Sequence, residues 1–356
     1  MSQKLETDTN KDIPDRQSLI CLSEPFVIPW LKPQQQGIQL NAFSLQHFLY
    51  RYLCGGESMR SFRKLSRKQL ALVTSGANYF NADVLSLNKE ITQFSKAVDI
   101  FSKNSFSIET LKQAHSCFSV KNAGCFRTTA GWIGKSADES DYMLPVQPDE
   151  MVKYLDNLAQ CLQLEHIESY QKAVIAYVQL LKIHPFADVN GRTARALMFS
   201  LLKRDAIPPV FFRYLSSRDC YLHSANTLGL NDLSQPEHSF WQQAYLLGGA
   251  IEEEVCSLVE KVQSSLVSAT ALTGINADSQ ALLNYLWQQP LVTEKVISAK
   301  LNMTTASATS AIKQLINCRV LIPRQISSIS TEVVFECHAV MKLYQAIESK
   351  LFKVKK

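Results

Sequence analysis

The chain has 356 residues, 46% hydrophobic and 19% charged, enough for two domains or for one large domain with an appendage. Its formal charge of +5 gathers at one end: ten Lys/Arg stand against five Asp/Glu from Asp278 to Lys356, four of those cations being Lys350, Lys353, Lys355 and Lys356. The polar start does not read as a secretory signal, and no run reaches the roughly 18 apolar residues of a membrane span. The nine cysteines form no C-x-x-C pair, so a cytoplasmic chain with reduced thiols and no zinc site is expected.

In chain order, residues 1 to about 16 read as disordered, and Pro25, Pro29 and Pro33 punctuate the stretch that follows. From Leu40 to Val98 apolar residues recur at spacings of three and four, so residues 1–106 are expected to form an N-terminal helical region. Ser107 to Ser116 predicts a further helix. Gly124 to Gly134 (GCFRTTAGWIG) suggests a short strand pair or loop, with Lys135 to Tyr142 as its exposed tip. Helices are expected at Pro148–Leu164 and Ile167–Ile183. The second is apolar on most sides, which places it in the middle of a bundle. The loop His184–Asn190 leads into a helix from Gly191 to Arg204, which Pro208 and Pro209 stop. Helical pattern resumes over Ser217–Leu228 and Ser239–Val267.

Residues 107–267 would thus form the central domain and 268–277 a linker with few contacts crossing it. Residues 278–356 then show helices at Ser279–Gln289, Thr293–Lys300 and Thr304–Asn317 and β-rich stretches at Arg319–Ile326 and Glu332–Cys337. That order predicts a C-terminal winged helix-turn-helix on a mainly α chain. Its third helix holds one cation, Lys313, in Thr304–Gln314, where DNA readers use several. Docking to protein or to a second copy, giving a homodimer, is therefore favoured over DNA binding.

The segment richest in chemistry is His184-Pro185-Phe186-Ala187-Asp188-Val189-Asn190-Gly191-Arg192-Thr193-Ala194-Arg195. Asn190 and Gly191 stand where a helix begins, so free N–H groups and the positive dipole end face the loop. Gly191 lets backbone approach a phosphate closely. Arg192 and Arg195, three apart, share a helix face and can both grip phosphate oxygens. A lone carboxylate, Asp188, suits Mg²⁺, which takes one or two protein carboxylates and completes its shell with phosphates and water. His184 has the pKa range of a base that takes a hydroxyl proton.

This stretch resembles the Fic (filamentation induced by cAMP) motif, H-x-F-x-[D/E]-G-N-G-R-x-x-R, matching at His184, Phe186, Asp188, Asn190, Gly191, Arg192 and Arg195. Gly124-Cys125-Phe126-Arg127 and Trp132-Ile133-Gly134 resemble the elements before that family's target-binding flap, and Asp141 to Pro145 its far side. The resemblance implies a helical bundle with a small β-hairpin flap, acting as a protein adenylyltransferase. Such an enzyme moves AMP from ATP to a Ser, Thr or Tyr hydroxyl of a protein and releases pyrophosphate. It further implies that His184 is the base and Phe186 holds the loop in shape. Asp188 would bind Mg²⁺, Asn190 and Gly191 form part of the anion hole, and Arg192 and Arg195 hold the phosphates. Tyr221 is the candidate adenine contact.

Two departures bear on activity. Val189 stands where the family has Gly, and a β-branched residue resists positive φ, a cost of roughly 1–3 kcal/mol that would impair the enzyme. Many family members also carry a self-inhibitory S-S-x-I-E-G helix. Its best local match is Thr74-Ser75-Gly76-Ala77-Asn78-Tyr79, with Asn78 in place of Glu. The alternative reading is a catalytically weakened scaffold that regulates through DNA or protein binding.

Overall fold

The computed structural model describes residues 66–130, 145–165, 167, 169–204, 236–326 and 333–352. The expected disordered start, the helix at 217–228, Tyr221 and the greater part of the flap lie outside them.

Helix α1 (Arg67–Thr74) opens on a capping box: Gln69 N–H donates to Ser66 Oγ at 3.2 Å and Ser66 N–H to Gln69 Oε1 at 2.7 Å. A turn at Gly76, φ +77°, leads to α2 (Ala82–Lys103), which Asn81 caps by accepting from Val84 N–H. Its stripe of Val84, Leu87, Ile91, Phe94, Val98 and Phe101 recurs every three or four residues and is buried. Helix α3 (Ile108–His115) starts at Ser107 as the sequence predicts. Helix α4 (Met151–Gln163) buries Tyr154, Leu155 and Leu158.

The centre is α5 (Ser169–Ile183) with α6 (Asn190–Arg204) packed along it and α2 laid across α6. Every residue from Ala173 to Ile183 and from Thr193 to Leu202 is buried. Two helices without a solvent face can only be central, and the loop between them is therefore held at both ends by the core.

Helix α7 (Pro236–Ala271) is longer than its pattern predicts, so the first four residues of the expected linker are helical. The rest is fastened: Gln314 donates to the Gly274 carbonyl at 3.1 Å and accepts from Asn276 N–H at 3.2 Å. Beyond lie α8 (Ala277–Leu286), β1 (Leu291–Val292), α9 (Glu294–Leu301), α10 (Thr305–Asn317), β2 (Ile322–Gln325), β3 (Val333–Glu336) and α11 (His338–Phe352). Asn302 in the left-handed region ends α9 and Thr304 caps α10. The sheet runs β1-β3-β2, antiparallel, with Leu291 and Ile322 both opposite Glu336. Neither β1 nor α11 was legible beforehand.

This C-terminal unit does not stand apart. Helix α7 packs on α11, and Leu266, Leu282 and Tyr344 belong to the same core as Phe94 and Val174. Helix α1 docks on it too. Thr293 donates through N–H (3.2 Å) and Oγ1 (2.9 Å) to the Ser75 carbonyl, and Gln289 donates to the Ala71 carbonyl. Glu336, 2% exposed, meets Lys68 at 3.1 Å, Arg324 at 3.3 Å and His338 at 2.7 Å. Burial alone would raise its carboxyl, but the bonds from His338 and Lys68 and the charges of Lys68 and Arg324 hold it below the usual value. The expectation of few contacts across the linker is corrected: apolar side chains on both sides need one another to be covered.

Among the described residues no helix is long and apolar enough to cross a membrane. Cys117, Cys125, Cys256, Cys318 and Cys337 are free thiols, but Cys161 is disulfide-bonded, against the expectation of reduced thiols throughout. No local spacing signals that bond.

Candidate active site

The loop between α5 and α6 is shaped from below. Phe186 is 1% exposed, and the ring of His115 lies flat on it, centroids 3.6 Å apart and planes at 12°. The Phe126 ring lies tilted against Phe186, centroids 5.4 Å apart. Asn190 is buried and binds the Phe186 backbone twice, its Oδ1 accepting from Phe186 N–H at 2.9 Å and its Nδ2 donating to Phe186 C=O at 2.7 Å. The Asn190 amide thus holds the loop closed.

His115 is the residue whose part the sequence understates. Gly124 N–H donates to its Nδ1 at 2.8 Å, so the proton sits on Nε2, which donates to the Asp188 carbonyl at 3.1 Å. Burial pushes its pKa down, keeping the ring neutral and this tautomer in place. Its signal in the sequence is its place beside Leu111 and Ala114 on the buried face of α3.

His184 follows α5 directly, at φ +49°. Its N–H still bonds Leu180 C=O at 3.0 Å, and Nδ1 lies 3.3 Å from Leu181 C=O. A carbonyl can only accept, so Nδ1 carries the proton and Nε2 keeps its lone pair. Desolvation dominates this turn: it pushes His184 down to about 4 and the neighbouring Lys182 to about 8. At neutral pH the imidazole is therefore uncharged. Its carbonyl is gripped by Arg127 Nε at 2.7 Å.

Asp188 is exposed at the loop's crest, with Oδ1 accepting from Val189 N–H at 2.6 Å. Val189 has φ +52°, the left-handed conformation that glycine adopts without cost. Its side chain is 6% exposed within the main core, and its carbonyl accepts from both N–H and Oγ1 of Thr193 at 3.0 Å. Helix α6 starts one residue later, so its first N–H groups open beside Asp188.

Arg192 and Arg195 share one face of α6 but differ in setting. The Arg195 side chain folds back over the helix start, so that a Cβ on Gly191 would lie 3.4 Å from its Nη1. The Arg192 guanidinium stands 5.6 Å from the Phe118 ring centre and 3.9 Å from Glu90 Oε2 on α2. That separation exceeds hydrogen-bond length, and Glu90 Oε2 is buried without a hydrogen-bond partner. Burial raises the Glu90 pKa, against the opposing pull of Arg192. Sequence reasoning missed Glu90, although it falls between Leu87 and Ile91 on the buried stripe, where a carboxylate needs a reason.

The structure brings His184, Phe186, Asp188, Asn190, Gly191, Arg192 and Arg195 into one loop and helix start. Thr74, Ser75 and Asn78 lie at the end of α1 and in the turn after it. Thr74 Oγ1 donates to Gln289 Oε1 at 3.0 Å, and a Cβ on Gly76 would meet Val296 Cγ2 at 2.2 Å, so this turn is seated against β1 and α9. In that position it serves the docking of α1.

The site is thus a His-led loop between two buried helices, with arginines on the start of the second. Residues 105–202 match the model of the Fic/DOC family. Protein adenylyltransferase fic-1 of Caenorhabditis elegans is 33% identical over 114 residues, covering 31% of this chain and 21% of that protein. Protein adenylyltransferase Fic of Nematostella vectensis is 30% identical over 145 residues, covering 39% of this chain and 31% of the relative. The similarity thus spans about a fifth to a third of those relatives. Among solved structures, a Fic family protein from Desulfovibrio desulfuricans G20 is 15% identical with a TM-score of 0.47, over 82% of this chain and 87% of that one.

Proposed function

We propose that this chain is a protein adenylyltransferase. The observation that carries the reading is the neutral imidazole of His184, desolvated and with Nε2 free to accept, on the turn before a helix start bearing Arg192 and Arg195. A target hydroxyl attacks the α-phosphorus of ATP. The new O–P bond forms as the bond to the β-phosphate oxygen breaks, the hydroxyl proton passes to His184 Nε2, and pyrophosphate leaves. Arg192 and Arg195, with the Gly191 N–H, hold phosphate oxygens and offset the charge of the leaving group. Mg²⁺ would neutralise phosphate charge. A single exposed carboxylate, Asp188, fits an ion whose remaining ligands are phosphates and water.

The C-terminal unit is read as a winged helix-turn-helix on its order of helices and sheet. The single cation of α10, Lys313, favours docking to protein over DNA binding. Similarity to protein adenylyltransferases of Caenorhabditis elegans and Nematostella vectensis supports the transfer reading. The weakened-scaffold reading rests on Val189 standing where the family has glycine, not on its backbone angle, which a glycine would share.

The test is incubation of the protein with ATP labelled on the α-phosphate and Mg²⁺, followed by a search for label on the protein itself and in lysate. Transfer by wild type and none by His184→Ala is the expected result. ATP binding without transfer by wild type would move the regulator reading to first place.

A further inference from the structure

We infer that Arg127 is a positioning residue for His184, fixing the backbone of the base through its carbonyl. The inference rests on the transfer reading above for its kinetic part alone. Arg127 Nε donates to His184 C=O at 2.7 Å, Nη1 to Thr129 C=O at 2.9 Å, and Nη2 to the carbonyls of Val146 and, at 3.4 Å, Ile183. The Arg127 N–H donates to Pro185 C=O at 2.9 Å. Every one of these partners is a backbone carbonyl. The residue therefore acts as a fork that counts carbonyl positions, which a lysine ammonium could not copy.

Two of those carbonyls, Ile183 and His184, end α5, where the last C=O groups lack helix partners. A buried helix end must find donors, and a guanidinium meets that need while adding charge-assisted strength and a complement to the helix dipole. The grip falls on a residue that needs it. His184 sits at φ +49°, which a non-glycine residue leaves unless its surroundings hold it, and a change of that angle swings the imidazole away from Leu181 C=O. Of the other three, Thr129 and Val146 lie on either side of residues 130–145. One side chain thus ties the feet of that segment to the base at fixed distance. The sequence shows Arg127 only as a member of a short motif; the side chain's targets stand up to 57 residues away.

The experiment compares wild type, Arg127→Gln, Arg127→Lys, His184→Ala and the Arg127→Gln/His184→Ala pair in the full chain. Readouts are Mg·ATP affinity by calorimetry, label transfer from ATP in a single turnover, and hydrogen exchange of residues 184–189 against α10 as internal reference. Arg127→Gln should keep ATP affinity within about threefold while transfer falls about 20- to 100-fold, the scale of a base misplaced by about an ångström. Exchange at 184–189 should quicken with α10 unchanged. Arg127→Lys should recover a fraction of the rate, and the double variant should lose no more than His184→Ala alone. Transfer by Arg127→Gln within about twofold of wild type overturns the assignment, as does an equal loss of ATP affinity and transfer. If Arg127→Gln does not fold, Arg127→Lys carries the same comparison. Should wild type bind ATP yet transfer nothing, the transfer reading fails by itself. The exchange measurement then decides Arg127: quickened exchange at 184–189 upholds it and unchanged exchange overturns it.

Discussion

The imidazole of His115 lies flat on the ring of Phe186, 3.6 Å between centres, while its two nitrogens join the Gly124 N–H to the Asp188 carbonyl. One side chain on α3 thereby supports the loop's apolar foot and its acidic crest at once. His115→Phe keeps the stacking but leaves a part-buried donor and a part-buried acceptor without their partner, at about 1–2 kcal/mol each. Stability by urea unfolding should fall by about 2–4 kcal/mol. A loss under about 1 kcal/mol would mean that water or a shifted backbone replaces both bonds.

His184→Ala should abolish transfer and leave ATP affinity within about threefold, since the base acts on the hydroxyl and not on the nucleotide. The pH dependence has a definite sign. With a folded pKa of about 4, against an ordinary value of 6.5, the imidazole is already neutral at pH 5.5. The transfer rate should stay level from about pH 5.5 to 8, where an ordinary histidine would halve it near 6.5. In stability the group favours folding fully above 6.5, and that contribution is lost as pH falls through the folded value near 4, because the unfolded chain binds the proton first. A rate that drops by half near pH 6.5 would place the base in water.

The loop was legible because its chemistry depends on fixed spacing: His184, Asp188, Arg192 and Arg195 stand in one helix-loop-helix, and the chain itself sets their order. The buried character of α5 was equally plain in its run from Ala173 to Leu181. What the sequence could not display are contacts that bridge distant segments. Arg127 binds carbonyls, which every residue has, so no pairing pattern marks its targets. Glu90 meets Arg192 across 102 positions by helix packing. At Thr74 to Tyr79 six residues of likeness carry no information on what they face. In the structure they face Thr293 and Val296. The linker was read from composition, yet Gln314 holds it and α7 extends into it.

Glu90→Gln should tighten Mg·ATP binding about three- to tenfold, on the order of 1 kcal/mol. The carboxylate stands 3.9 Å from Arg192 without bonding it, so it competes with phosphate for that charge and repels the phosphate as well. Calorimetric titration measures the change. Weaker binding in the variant would show that Glu90 holds Arg192 in its working position.

Gly76 and Gly274 offer a matched pair, at φ +77° and +60°. An added Cβ at Gly274 meets nothing within 4 Å, whereas at Gly76 it would meet Val296 at 2.2 Å. Gly274→Ala should thus cost only the conformational penalty of about 1 kcal/mol. Gly76→Ala should cost about 1–3 kcal/mol more, because the turn after α1 must lift from α9. Thermal midpoints of the two variants test the difference, and equal midpoints would mean that the docking is looser than the contact distances imply.

Val189→Gly separates a cost in folding from a cost in catalysis. A β-branched residue at φ +52° pays about 1–2 kcal/mol for the left-handed conformation, and burying its side chain returns about 1.5–3 kcal/mol. The two nearly cancel, which is how valine is accommodated there. Since the loop already takes the turn a glycine would take, the strain is carried by the folded chain as a whole and leaves the shape around Asp188 intact. Substitution removes both contributions and adds the backbone entropy of glycine, about 0.5–1 kcal/mol. Urea unfolding should show a net loss of about 0.5–2 kcal/mol, and transfer should change by less than about threefold. A rise in transfer of about tenfold or more, 1.4 kcal/mol in the barrier, would mean instead that Val189 bends the loop away from its working form. The impairment suggested by the sequence would then be real, and the left-handed angle its residue.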